Sequence, residues 1–348
     1  MRHRLPIILL SLLVIGGAWN PKTVVAADFL YVSVNNAVQI IDCSTDAVVK
    51  TIPAFNDFIA NATYSPDGKR YYACGWHSIY VIDTVTNELV ETHNLSSDLN
   101  RVTIGSSTVS ADGSKLYMAV TVVKRKENIP RLFVQPPQLA VYDLKKREVV
   151  KTYEIPGAVS GIFKIKNDPG HLILVGLDIY KLNLKDGKVE KIMGGLNPDK
   201  GREVKNIILN NHNSSPGDHG IVVIPYYTTT ETERGIGYLL IDTNTGELKT
   251  VKGEDIFFEY SARVSPDKKY IYAVLDELIK VDAKTGKTLK YTPCEEGTYT
   301  AVAVTPDGKK VYAGPYGPDV SVYDAESLKL LGVIPLKADG RVSTLISR

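Results

Sequence analysis

The chain has 348 residues, of which 44% are hydrophobic and 23% are charged, and its formal net charge is +2. These values are ordinary for a soluble globular protein, and the near-neutral balance excludes the basic footprint that is typical of nucleic-acid-binding proteins. The length fits one large all-β domain or two smaller domains.

The first 27 residues predict a secretory signal peptide that is cleaved from the mature chain. Arg2 and Arg4 give a basic start, residues 5–18 are apolar, and small residues follow at 24–27. The apolar stretch is about 14 residues long, short of the roughly 20 that span a bilayer, so an uncleaved anchor is the less favoured alternative. Export predicts a soluble periplasmic protein. Loss of Arg2, Arg4 and Lys22 changes the net charge to 2 − 3 = −1.

From residue 29 onward, short apolar runs rich in Val and Tyr alternate with turn residues, a pattern that predicts antiparallel strands. The unit is clearest at residues 302–327, where Pro-Asp-Gly separates the first two runs. The residue that closes the third run recurs at Asp42, Asp83, Asp143, Asn183, Asp242, Asp282 and Asp324. The intervals are 41, 60, 40, 59, 40 and 42 residues.

The acidic residue of the turn between the first two runs is a second landmark of the repeat. It occurs as Asp67, Asp112, Asp168, Asp267 and Asp307. Four of these lie 25 residues after a closing residue, the exception being Asp112. In such turns Asp caps the backbone and Gly supplies a positive φ, so we predict a structural role for these carboxylates.

Seven units of about 40 residues, each with four strands, predict a seven-bladed β-propeller that occupies residues 28–348 as one domain. The first unit lacks its first strand, and one strand is left over at residues 341–347. Pairing that strand with the N-terminal three completes a blade and closes the ring. The sequence 30–42, LYVSVNNAVQIID, resembles the YVTN-type propeller repeat of exported bacterial proteins.

Two units are longer than the others by roughly 20 residues, and the fold predicts where the excess lies. We label the strands of each blade A to D from the axis outward. The A–B and C–D turns share one face, and the B–C and D–A connections share the other, which we call the insertion face. Residues 124–138 belong in or beside a B–C connection. Residues 211–237 span an enlarged A–B turn, a strand and a B–C loop at 227–237. Long loops on a rigid scaffold carry function, so we predict that this face binds partners.

These insertions also resemble one family. The segments are LFVQPPQLAVYDLKKREVV (132–150), NNHNSSPGDHGIVVIPYYT (210–228), GYLLIDTNTGEL (237–248) and DIFFEYSARVSPDKK (255–269). They are similar, in order, to the β subunit of quinohemoprotein amine dehydrogenase.

The resemblance implies a periplasmic heterotrimer that oxidatively deaminates primary amines. In that family a γ subunit carries cysteine tryptophylquinone, and an α subunit, a dihaem cytochrome c, passes electrons to an acceptor. The propeller subunit supports both and walls part of the substrate pocket. It implies no catalytic group, cofactor or metal on this chain, and the sequence contains no Cys-x-x-Cys-His haem-attachment motif.

Aromatic residues near the insertion face are candidates for the substrate pocket or subunit interface, because rings with polar tips suit both. The alternative is that propellers are simply rich in Tyr, of which the chain has 20. The candidates are Phe133, Tyr226, Tyr227, Phe258, Tyr260 and Tyr299.

Other chemistries find weaker support in the sequence. His212, Asp218 and His219 match no familiar metal-ligand spacing, and no Gly-x-Ser-x-Gly elbow accompanies the neighbouring serines. Cys74 and Trp76 are too close along one strand to favour a quinone crosslink. Cys43 falls on the opposite face from Cys74 and Cys294, which disfavours disulfides.

The favoured interpretation is therefore a non-redox propeller subunit of a periplasmic amine dehydrogenase, with no binding to nucleic acid or membrane. One alternative is a stand-alone exported propeller that binds a ligand or protein without catalysis. Another is a propeller hydrolase such as a lactonase, for which the inner strands offer little beyond Glu259.

Overall fold

The computed structural model describes residues 28–53, 57–194, 204–207, 219–229, 234–254, 259–294, 297–314 and 317–346. The predicted signal peptide, residues 1–27, lies outside them. The described chain forms seven antiparallel sheets that correspond to the seven predicted blades. In this part of the chain, no helix has the length and apolar character needed to cross a membrane.

Each blade has one strand in each of four positions from the axis outward. The A strands are β4 (Ile59–Tyr64), β8 (Asn100–Val109), β13 (Gly161–Lys164), β17 (Val204–Ile207), β21 (Glu259–Val264), β25 (Ala301–Val304) and β29 (Gly340–Ile346). The B strands are β1 (Phe29–Val34), β5 (Arg70–Gly75), β9 (Lys115–Lys126), β14 (His171–Val175), β18 (Ile221–Thr229), β22 (Tyr270–Leu275) and β26 (Lys310–Gly314).

The outer half of each blade consists of the C and D strands. The C strands are β2 (Ala37–Asp42), β6 (Ser78–Asp83), β11 (Gln138–Asp143), β15 (Ile179–Asn183), β19 (Arg234–Asp242), β23 (Glu277–Asp282) and β27 (Asp319–Asp324). The D strands are β3 (Ala47–Pro53), β7 (Glu88–Asn94), β12 (Glu148–Glu154), β16 (Val189–Met193), β20 (Leu248–Lys252), β24 (Thr288–Pro293) and β28 (Leu330–Pro335). One further strand, β10 (Ile129–Val134), belongs to blade 3.

The ring closes through blade 1, which combines the two ends of the described chain. β29 pairs antiparallel with β1, with Phe29 opposite Ile346 and Val34 opposite Gly340. The prediction that the C-terminal strand completes the first blade is therefore confirmed. This pairing covers the inner edge of β1, so blade 1 ends at the axis on a short A strand as the other blades do.

Hydrophobic clusters lie between neighbouring blades, and seven of them complete the circle. The cluster that joins the two ends packs Leu30 and Val32 of blade 1 against Tyr312 and Val322 of blade 7. Alternate strand residues point to opposite faces of a sheet, so each blade contributes to the cores on both sides. The apolar runs of the repeat are buried for this reason.

The carboxylate of the A–B turn is a hydrogen-bond acceptor within the turn itself. Asp112 accepts from the Ser110 hydroxyl at 2.5 Å and from the Ser114 amide at 3.0 Å. Asp67, Asp267 and Asp307 make the equivalent pair of bonds. The predicted turn-capping role is confirmed for these four carboxylates, whereas Asp168 contacts the His171 ring and the Lys181 ammonium instead.

We expect Asp112→Ala to lower the free energy of unfolding by about 1 kcal/mol, the net value of a few solvent-screened hydrogen bonds. The Ser110 hydroxyl and the Ser114 amide lower the pKa of Asp112 to about 2. Its stabilising effect is therefore present at neutral pH and is lost as the pH falls towards 2. Urea denaturation at pH 7 measures the change. Asp98→Ala at an exposed position is the control and should change stability by less than about 0.5 kcal/mol.

The C–D turns share a left-handed residue four positions after the closing residue. In chain order, from blade 1 to blade 7, these residues are Asp46, Asn87, Arg147, Gly187, Gly246, Gly286 and Leu328, with φ between +53° and +79°. Four of the seven are residues other than glycine, so the left-handed φ of this turn does not by itself require glycine. The closing Asp accepts bonds from the following amides, as Asp282 does from Lys284 and Thr285.

Both insertions enlarge a connection between B and C strands, and there they continue the sheet where loops were expected. In blade 3, residues 124–138 include the end of β9 and all of β10. In blade 5, the prediction of a B–C loop at residues 227–237 is wrong, since Tyr227 pairs with Ile236 and Thr229 with Arg234. Backbone pairing satisfies the polar groups of an extension that would otherwise need water. Most of the enlarged A–B turn, 208–218, lies outside the described residues.

Candidate binding face

The insertion face has exposed apolar side chains that the opposite face largely lacks. In the described part of the chain these residues are Trp76, Leu99, Ile129, Leu132, Val134 and Leu177. The described residues of the opposite face contribute only Val85 to the exposed large hydrophobic side chains, and the others lie on D strands. Apolar side chains gathered on one surface mark interaction sites. The insertion face is therefore the candidate binding face.

Blade 3 projects beyond its neighbours on this face. β8 has 10 residues and β9 has 12, whereas the B strands of the neighbouring blades, β5 and β14, have 6 and 5. β11 pairs with β9 only as far as Val120, and the rest of β9 pairs with β8 on one side and β10 on the other. Residue Lys124 is opposite both Asn100 and Phe133. We call this three-stranded projection, residues 100–103, 121–126 and 129–134, the blade 3 extension.

The predicted contact residue Phe133 lies on the blade 3 extension and is partly exposed. The Lys126 ammonium is 4.9 Å from the centroid of its ring, and the Arg131 guanidinium carbon is 5.9 Å away. Cations over a ring at an exposed site contribute about 0.5–1 kcal/mol each. These contacts hold the ring on the hairpin, where a partner would meet an aromatic group surrounded by positive charge.

A polar cavity of about 720 Å³ opens between blades 2 and 3 beside the extension. Its lining combines hydroxyl, amide and charged groups from several connections: Asp57, His77, Ser78, Tyr80, Thr92, Asn94, Ser96, Ser97 and Arg101. The Asp57 carboxylate accepts from the amides of Phe58, His77 and Ser78. Asp57 therefore fixes the cavity wall, and the hydroxyl groups and Arg101 are the groups that face a ligand.

His77 orients the guanidinium of Arg101. Its Nδ1 lies 2.6 Å from the Val102 carbonyl oxygen, and Arg101 Nη2 lies 3.0 Å from its Nε2. A carbonyl only accepts and a guanidinium only donates. These contacts fit the tautomer with hydrogen on Nδ1, which adds no negative charge beside Arg101, and the Asp57 carboxylate of the same lining is bonded to three backbone amides. The arrangement suits a carboxylate or another anionic group.

The hairpin of blade 5 contacts a buried carboxyl group at the start of the inner strand of blade 6. Glu259 is almost fully buried, and its Oε1 accepts from the Tyr238 hydroxyl at 2.7 Å. Its Oε2 has no partner among the described residues. Burial raises the pKa of Glu259 to about 8. Tyr227 accepts from the Glu259 amide and donates to its carbonyl oxygen, so two tyrosines hold this residue.

The other predicted aromatic residues are distributed over blades 4 to 7. Tyr260 is partly exposed and directly follows Glu259, whose backbone amide bonds to the Tyr227 hydroxyl. Tyr226 is buried in the cluster between blades 4 and 5. Tyr299 is buried between blades 6 and 7, where its hydroxyl lies 2.6 Å from the Ser321 hydroxyl. Phe258 lies outside the described residues. The role of all six at a pocket or interface remains a prediction.

The alternative chemistries gain no support from the described residues. Cys74 is buried with its sulfur 3.2 Å from the Ser107 hydroxyl, whereas Trp76 is exposed and stacks on Phe58 with ring centroids 4.9 Å apart. Because the Cys74 sulfur is buried and the Trp76 ring is exposed, the two side chains do not suit a crosslink to each other. The three cysteines are unpaired. His212 and Asp218 fall outside the described residues, and burial lowers the pKa of His219.

Sequence reasoning predicted the insertion face but missed the cavity. Asp57 and His77 lie in two separate connections and Arg101 lies in β8, and no local motif links them. Trp76, next to His77, is the only tryptophan after residue 27, and its position before a B–C turn was the one available signal.

Comparisons with known proteins support the fold. No protein-family model and no curated protein sequence matches the chain. Among solved structures, the chain is similar to dihydro-heme d1 dehydrogenase NirN in complex with DHE, at 15% identity and a TM-score of 0.57 over 92% of this chain and 75% of that chain.

Two other solved structures show the same likeness. Hydrazine synthase of Kuenenia stuttgartiensis is 14% identical, with a TM-score of 0.54 over 87% of this chain and 90% of that chain. Apo AztD of Citrobacter koseri is 12% identical, with a TM-score of 0.53 over 92% and 98%. Identities this low show the fold alone, so the protein is a seven-bladed β-propeller and its function has to be argued from its own residues.

Proposed function

We propose that this chain is the non-redox β subunit of a periplasmic amine dehydrogenase that oxidatively deaminates primary amines. In the proposed heterotrimer, a γ subunit carries cysteine tryptophylquinone and a dihaem cytochrome c α subunit carries haem c. The propeller contributes the scaffold, the docking face and part of the pocket wall.

The position of the resembling segments carries the proposal. Segment 132–150 contains the second half of β10, segments 210–228 and 237–248 contain most of the β18–β19 hairpin, and segment 255–269 contains Glu259. Each of them reaches the insertion face, where the exposed apolar side chains also lie. A subunit that binds two partners needs such a face, because stable interfaces combine an apolar centre with a polar rim.

In this proposal the residues of the chain bind and orient and do not react. Tyr227 and Tyr260 lie at the rim between blades 5 and 6. The Tyr227 hydroxyl is held by the Glu259 backbone, so Tyr227 offers a bound amine or subunit its ring, and Tyr260 offers a ring with a polar tip. The quinone supplies the amine oxidation when it is bound in the complex. Residues of this chain exclude water from that site and hold the partner against the face.

Purification from the native periplasm tests the proposal. A C-terminal affinity tag on the full chain is expected to recover two further polypeptides, one of which has the absorbance of haem c. The untagged strain is the control. Elution of the tagged chain as a monomer without haem absorbance would contradict the proposal.

A stand-alone binding propeller is the second candidate. The observation that favours it is the polar cavity between blades 2 and 3, which is large enough for a small organic ligand. Under this alternative, the monomer would bind a small polar ligand without any partner subunit.

A further inference from the structure

The blade 3 extension carries a local excess of positive charge. Between residues 124 and 131 it has Lys124, Arg125, Lys126 and Arg131 against one acid, Glu127, which gives 4 − 1 = +3. The net charge of residues 28–348 is −1, so the remainder of that chain has a net charge of −1 − 3 = −4. Positive charge is thus concentrated on the projecting part of the insertion face.

The four cations on the extension have no carboxylate partner. All four side chains are exposed, and no acidic group of the described residues lies within ion-pairing distance of them. Two of them, Lys126 and Arg131, contact the ring of Phe133. Complementary charge on a partner increases the rate of association and fixes its orientation.

Exposed apolar side chains lie among these cations. Leu132 and Val134 are 60% and 68% exposed, more than most large hydrophobic side chains of the described chain. They are two residues apart on one strand and so share a face of the sheet, and Val134 is opposite Val123 in the register. A partner that covered this apolar strip would remove it from water and bring its acids to the cations on either side.

The shape of the β9–β10 hairpin of the blade 3 extension favours a protein partner over a lipid surface. Its tip is Glu127 and Asn128, both exposed and polar, with φ of +61° at Asn128. Insertion of the tip into a bilayer would bury an acid and an amide at a cost of several kcal/mol. The apolar residues instead line the side of the hairpin, where a protein surface would pack.

The cavity adds a recessed site next to the extension. Arg101 lines the cavity and is opposite Val123 in the β8–β9 register. A carboxylate that entered the cavity would meet the guanidinium that His77 orients. The exposed ring of Trp76 and the exposed side chain of Leu99 extend the apolar surface towards blade 2.

We propose that the blade 3 extension and the Arg101 cavity form a docking site for an acidic protein surface. Carboxylates of the partner pair with the lysines and arginines of β9 and β10, one acidic side chain enters the cavity, and apolar groups cover Leu132 and Val134. The inference deepens the proposed function, on which it rests, by specifying the partner subunit's contact surface as acidic with an apolar centre.

A defined acidic polypeptide tests the charge recognition on the full chain alone. Labelled poly-L-glutamate is expected to bind at low salt, and Lys124→Glu/Lys126→Glu is expected to weaken binding at least about tenfold. Lys145→Glu/Lys146→Glu is the matched control, since it makes the same charge change at exposed residues on the opposite face of the same blade. Equal weakening by the two variants, or tighter binding to phosphatidylglycerol vesicles than to poly-L-glutamate, would overturn the proposal.

Carbodiimide crosslinking in the native periplasm locates the contact in the assembled protein. The reagent joins lysine to a paired carboxylate, so we expect crosslinks from Lys124 or Lys126 to Asp or Glu of the partner and none from Lys145 or Lys146. Crosslinks confined to other lysines in a haem-containing complex would overturn the docking site and leave the proposed function intact. Crosslinks at Lys124 or Lys126 to a protein without haem or quinone would support the docking site and contradict the proposed function.

Discussion

Gly286→Ala is expected to lower the free energy of unfolding by about 2–5 kcal/mol, the sum of a left-handed penalty and an overpacking cost. Gly286 has φ of +77°, and a Cβ built there would lie 1.9 Å from the Lys252 carbonyl oxygen. Lys252 belongs to β20, where it is opposite Gly237. The neighbouring backbone therefore cannot retreat without disturbing the sheet of blade 5.

Gly68→Ala is the matched control for this prediction. Gly68 has a similar φ of +69°, but a Cβ there would have no heavy atom within 4 Å. Its substitution should cost only about 1–2 kcal/mol, which is the conformational penalty. Urea denaturation of both variants separates the clash from the strain. Equal losses of stability would show that the approach between blades 5 and 6 is looser than the structure indicates.

Glu259→Gln is expected to remove most of a stability loss that the wild-type protein shows as the pH rises from about 5 to 8. Burial raises the pKa of Glu259 from 4.5 to about 8. Between these values the unfolded chain has released the proton and the folded chain has kept it, so stability falls as the pH rises. A shift of this size corresponds to roughly 4 kcal/mol by pH 8.

The amide of glutamine preserves the hydrogen bond from Tyr238 and carries no charge at any pH. Glu259→Gln should therefore match the wild type near pH 5 and be more stable by several kcal/mol at pH 8. Glu254→Gln, at an exposed position five residues earlier, is the control and should leave the pH profile unchanged. Denaturation curves at pH 5, 6, 7 and 8 measure the profile. A Glu259→Gln profile that keeps the wild-type slope would contradict the assignment.

The repeat and the closed ring could be predicted from the sequence because each depends on local signals. The turn acids and the closing residues recur at fixed spacing, and the missing first strand at one end matches the extra strand at the other. The buried cores follow from the same pattern, since alternate residues such as Leu30 and Tyr31 point to different neighbouring blades.

The conformation of the insertions was less predictable. The excess length of segment 227–237 over the repeat predicts a loop, but Tyr227, Thr228 and Thr229 are β-favouring residues and pair with Ile236, Gly235 and Arg234, respectively. That signal was present in the sequence. The β propensity of residues 227–229 indicates their conformation better than the excess length of the insertion does.

Two other features depend on contacts between distant parts of the chain. The requirement for glycine at Gly286 comes from Lys252 of the preceding blade, whereas Leu328 adopts the same turn conformation with a side chain. The cavity joins Asp57, His77 and Arg101 across two blades. No single segment reports either feature, so only the folded arrangement shows them.

The central proposal is that this propeller serves an amine dehydrogenase through partners docked on its insertion face. The most direct measurement is the haem spectrum of the complex recovered through the tagged chain, before and after addition of a primary amine. The account predicts that haem c is reduced by a primary amine and stays oxidised with a tertiary amine, which has no hydrogen on nitrogen for imine formation. A chain recovered without haem, or a haem that no primary amine reduces, would contradict it.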